Sequence, residues 1–115
     1  MQLDQVSWVI GCASMASSLA FSAIAHHSKR MDEIVRVGLH RAVTVHQLSA
    51  IGFLILSFAY KETPPLPFAL LSAATLLFPG VIYYQSLSNT KSIFSKFVPM
   101  GGMMHMAFWA LLCVY

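Results

Sequence analysis

Seven polar side chains set among long apolar runs are the groups in this chain with chemistry to offer: His26, His46, Gln47, Tyr83, Tyr84, Gln85 and His105. Imidazoles and amides donate and accept hydrogen bonds, and a tyrosine ring adds an apolar wall with a polar tip. A pocket for a lipid head group or a quinone needs that mixture of apolar walls and a few convergent polar groups. Two imidazoles on facing helices also serve as axial ligands to a haem, and His46 with His105 is the pair to weigh. Their depths differ by several ångströms and no second pair supports a haem. The plainer reading is a structural cluster, because polar groups in hydrocarbon need partners and tyrosines anchor at the interface.

The usual catalytic groupings are missing. No carboxylate falls within an apolar run, so a proton relay or cation site has no acid. Cys12 and Cys113 lie inside the runs and read as small apolar helix residues rather than as a disulfide or metal site. No Cys/His spacing suits zinc, and there is no Gly-rich phosphate loop or serine with a base and acid around it. These residues point away from an enzyme. They imply no metal and no cofactor beyond bound phospholipid.

The elements that must position the polar groups are four apolar stretches, 7–25, 42–60, 67–87 and 98–114, none containing Asp, Glu, Lys or Arg. Each approaches the roughly 20 residues a helix needs to cross a bilayer core. Charged residues make up 10% of the chain, against roughly 25% in soluble domains. The expected fold is all-α, an integral membrane four-helix bundle with short connections, forming one four-span domain over residues 1–115.

Six of the seven Lys/Arg residues fall on one side of these spans. The first connection carries Lys29, Arg30, Arg36 and Arg41, the third carries Lys91 and Lys96, and the second has only Lys61. By the positive-inside rule, connections one and three face the cytoplasm of a bacterium or the matrix of a mitochondrion. Both termini then face the opposite side. The net charge of +3 is orientation charge, since no dense basic run is present to hold nucleic acid. The first stretch has no basic residue ahead of it and is expected to be a retained helix rather than a cleaved signal.

Pro64, Pro65 and Pro67 are expected to end the second helix and hold the connection extended. Pro99 fits the first turn of the fourth. Asp32 and Glu33, followed by Ile34, Val37 and Arg41 at helical spacing, predict that the second helix starts before its apolar run. In the first helix Ser14, Ser18 and Ser22 form one row of small residues and Ala16 and Ala20 a second, on neighbouring faces. Such rows allow backbones to approach closely in lipid, within the bundle or against a partner. Gly101 and Gly102 are expected to do the same in the fourth helix, and Gly80 in the third.

Leu77–Phe78, Tyr83–Tyr84–Gln85, Leu87–Ser88, Ser92–Ile93, Pro99, Gly101–Gly102 and Trp109 together closely resemble the C-terminal half of the transmembrane protein 256 family, whose bacterial relatives form a domain family of unknown function. Ala25–His26 and His46 match that family's positions in the first half. The resemblance covers roughly residues 10–115, most specifically in the YYQxLS to PxGG segment. His27 stands where the family has Gly, Ala42 and Val43 replace polar or aromatic residues, and His105 replaces an aliphatic one. The resemblance implies a small four-helix inner-membrane protein of mitochondrial type. Taken together, these features give the expectation of a non-enzymatic accessory subunit of a mitochondrial respiratory-chain complex, contacting membrane lipids and other integral membrane subunits. A stand-alone binder or carrier of a lipid, quinone or small apolar metabolite is the alternative, as is an assembly factor.

Overall fold

The apolar runs become helices because a backbone in lipid must satisfy its polar groups within its own segment. A computed structural model describes residues 2–27, 33–88 and 96–115. Lys29, Arg30, Asp32, Lys91, Ser92 and Ile93 lie outside the described residues, and Leu87 and Ser88 are described only as helix. The helices are α1 (Leu3–His27), α2 (Glu33–Phe58), α3 (Pro65–Thr75), α4 (Val81–Ser88) and α5 (Val98–Leu112). A wide π-turn, Leu76–Gly80, joins α3 to α4, so these two make one interrupted rod. Among the described residues there is no strand. The fold is an α-helical bundle.

Three rods are long and apolar enough to cross a membrane: Leu3–His27, Glu33–Phe58 and Pro65–Ser86. Helix α5 has 15 residues, about 22 Å at 1.5 Å per residue. It is thus shorter than the 98–114 stretch, because the chain leaves the helix in a turn at Cys113 and Val114. Helix α2 has 26 residues, about 39 Å, which exceeds a bilayer core of about 30 Å. Its early start is as expected, and Ile34 and Val37 are exposed on that overhang.

The prolines act differently from the expectation. Pro64 is the N-cap of α3, and Pro65 and Pro67 sit inside its first turn, with Pro67 buried. The first-turn N–H groups have no helical acceptor, so proline loses nothing there. The connection is correspondingly short, and buried Thr63 ties it back by donating its hydroxyl to the Leu56 carbonyl at 2.8 Å. That bond satisfies one of the orphan carbonyls in the last turn of α2.

Helix α1 packs along α2, while α3, the π-turn and α5 pack on one another, with α2 touching both halves. Two apolar clusters result. At the end bearing the basic connections, Ala25, Leu39, Ala42, Val43 and Tyr83 pack with Phe21 and Ile82. Toward the other end Phe53, Leu56, Leu71 and Phe108 form the second. Gly52 makes the second possible, since a Cβ there would lie 2.9 Å from both Leu71 Cδ2 and Phe108 Cε1.

Candidate functional site

Between the two clusters, α2 turns His46 and Ser49 inward, three residues apart and therefore on one face. His46 meets α4: its Nδ1 lies 2.9 Å from the Tyr83 hydroxyl. The phenol donates in this bond when the imidazole carries its proton on Nε2. Tyr83 is fixed from its other face by Phe21 of α1, stacked at 3.8 Å between centroids and 9° between planes. Ser49 meets α5. Its hydroxyl donates to the Val45 carbonyl at 3.0 Å, so at 3.2 Å it accepts from His105 Nε2. The hydrogen of His105 is therefore on Nε2. Ser49 and both histidines are buried.

The sequence suggested a single structural cluster of polar groups, and the structure places the two buried histidines in separate pairs. His46 and His105 bind separate partners on separate helices, Tyr83 and Ser49, rather than converging on one centre. Among the described residues no group of three or more His, Cys, Asp or Glu is placed to hold a metal ion. His26 is exposed and edges onto His40, with centroids 4.9 Å apart, outside the buried belt. Gln47 is half-buried and Tyr84 is exposed. Gln85 is half-buried, and its amide nitrogen is buried without a hydrogen-bond partner. Ser49, Phe21 and His40 were not singled out by sequence. Only Ser49's i+3 relation to His46 hinted at its role.

The small residues of α1 separate cleanly by face. Ser18 is buried and Ser14 and Ser22 half-buried, whereas Ala16 and Ala20 are exposed. The inward seam also includes Ser7, Gly11 and Ala25, all buried. Ser7 donates to the Phe53 carbonyl across the helix pair at 2.6 Å. A Cβ on Gly11 would meet Leu54 Cδ2 at 2.8 Å, so this seam is a close α1–α2 contact. Outward, Trp8, Val9 and Leu19 join the alanines in an apolar face with more than half of each large side chain exposed.

The glycines of α5 also divide. A Cβ on Gly101 would fall 2.8 Å from the Phe78 backbone nitrogen, whereas one on Gly102 would make ordinary contact with the Phe78 ring at 3.6 Å. Gly101 alone is a backbone-to-backbone approach, and it lies on the π-turn. Gly80 does not join it: a Cβ there would meet Thr75 of its own rod. Pro79, inside the turn and buried, is the cause that sequence reasoning passed over. It lacks an N–H and its ring would strike the carbonyl four residues back, which the wider turn relieves.

Open grooves lie elsewhere. One of 420 Å³ runs between Trp8 and Phe58, one of 300 Å³ between Gln2 and Thr63, and one of 400 Å³ beside Glu33 and Arg41. None of these three is lined by His46, Tyr83 or His105.

Long apolar helices enclosing a paired polar belt define an integral membrane protein built as a helical bundle. A family described as a protein of unknown function, DUF423, matches residues 6–102. The chain belongs to that family. Comparison with curated proteins and with solved structures finds no match to either.

Proposed function

We propose that this protein is a non-enzymatic accessory subunit held within a larger membrane assembly, and not a stand-alone catalyst. The observation that carries the reading is the two-sidedness of α1. Its serine and glycine seam is used up against α2, while Ala16 and Ala20 face outward beside Trp8 and Leu19. Small residues facing outward from a membrane helix permit close approach by another helix. The histidines support the same reading, because their inward-facing partners, Tyr83 and Ser49, keep them bonded within the bundle.

The assembly we favour is a respiratory-chain complex of the mitochondrial inner membrane, with the basic connections in the matrix and both termini in the intermembrane space. This finer reading rests on the resemblance of the Tyr83–Gln85 and Pro99–Gly102 segments to the transmembrane protein 256 family and on the charge asymmetry of the connections. A second reading, a binder of a lipid or quinone, is favoured by one observation, the unpartnered buried amide nitrogen of Gln85.

Gentle detergent extraction and native electrophoresis of the tagged protein from its native membrane test the proposal. Migration within a larger complex is expected. Ala16→Leu should release the protein from it without unfolding the bundle, because Ala16 is exposed. Migration only as a free chain would overturn the proposal, and loss of a co-purifying lipid or quinone on Gln85→Ala would favour the second reading.

A further inference from the structure

The outer face of α5 carries a group of largely exposed side chains that the polar belt does not use. Four of the seven methionines fall at Met100, Met103, Met104 and Met106. Met100, Met103 and Met106 are 50%, 65% and 67% exposed, and Met104 is half-buried at the edge of the same face. Met103 and Met104 stand three and four residues after Met100, so both neighbour it with Cβ atoms about 5–6 Å away. Unbranched side chains with three rotatable bonds can bring three sulfurs from these positions to one point.

His105 lies within this run but is turned the other way, buried and bonded through Nε2 to Ser49. What reads in sequence as a mixed methionine and histidine run therefore presents thioethers outward and the imidazole inward. Thioethers are soft, neutral donors and select Cu(I) over zinc, magnesium or calcium. A neutral donor set on an apolar surface also suits a monovalent ion better than a divalent one, since the cost of leaving water rises with charge. The site lies in the first two turns of α5, beside exposed Lys96. An ion can thus arrive from the aqueous side at that end of the helix.

We propose that Met100, Met103 and Met104 form a binding site for one Cu(I) ion on the outer face of α5. The proposal is independent of the accessory-subunit reading. Its test is competition with a chromogenic Cu(I) chelator under reducing conditions, using the full chain in detergent micelles. Cys12→Ser and Cys113→Ser are introduced first, because both thiols are exposed and bind copper in their own right. One Cu(I) per chain should be withdrawn from the chelator. M100L/M103L changes two exposed residues and leaves the packing intact, and it should weaken binding by at least about tenfold, as expected for loss of ligands. M106L should keep most of the affinity. X-ray absorption of the loaded protein should show sulfur neighbours only. Absence of binding, equal binding by M100L/M103L with unchanged helicity, or nitrogen in the copper shell would each overturn the proposal.

Discussion

Replacing Gly101 by alanine should loosen the bundle, whereas the same change one residue later should not. Both glycines lie in the first turns of α5, so the gain in helix propensity, about 1 kcal/mol for Gly to Ala, applies to each and cancels between them. What differs is the neighbour. The new methyl at Gly101 would lie 2.8 Å from Phe78 N and 3.0 Å from Leu77 C, both backbone atoms of the π-turn. Backbone cannot swing aside as a side-chain tip can, so α5 and the π-turn must separate by several tenths of an ångström. Overpacking of this kind costs about 1–3 kcal/mol. At Gly102 the methyl meets the Phe78 ring at 3.6 and 3.7 Å, which is normal contact. The two variants should therefore differ by about 2 kcal/mol, roughly thirtyfold in the folded-to-unfolded ratio. Titration of the micelle-bound protein with SDS, followed by loss of helical circular dichroism, reads this difference. Gly101→Ala should unfold at the lower SDS fraction. If it resists SDS as well as Gly102→Ala does, the close approach at the π-turn is wrong.

The polar belt gives two further expectations. Tyr83→Phe removes the 2.9 Å bond to His46 but keeps the ring stacked on Phe21, and should cost about 1–2 kcal/mol in the same titration. Combined with His46→Ala it should show a coupling of at least about 0.5 kcal/mol, and strict additivity would count against the pair. Ser49→Ala leaves the His105 Nε2 hydrogen without its acceptor and should destabilise by about 1–3 kcal/mol. Ser49→Ala with His105→Leu removes both partners and should recover most of that loss, so an undiminished deficit in the double variant would contradict the pairing.

Apolar length and the near absence of charge made the helices readable in sequence, because a lipid-exposed backbone has few alternatives to a helix. The positions of Pro64, Pro65 and Pro67 marked a boundary, but whether a proline ends one helix or opens the next depends on where the first unpaired N–H groups fall. Helix α3 starts at Pro65. The two rows of α1 were visible as neighbouring faces. Which row turned inward was not, since serine and alanine are both small, and the choice was made by Gly11 and Ser7 meeting Leu54 and Phe53 of α2. That the histidines need polar partners inside the bundle was legible, yet which partners they take was not. Ser49 is one ordinary serine among several, and only the packing of α5 on α2 brings His105 to it. Pro79 followed by Gly80 could have signalled an interrupted helix within the third apolar run but was passed over, and its consequence, the backbone contact with Gly101, needed the fold.

The helices of this account lie in the acyl-chain region of a membrane, where their outward apolar faces belong. Alkaline carbonate washing of membranes from cells making the protein measures this directly. The chain should remain wholly in the membrane pellet, and its release into the aqueous supernatant as folded, monodisperse protein would contradict the account.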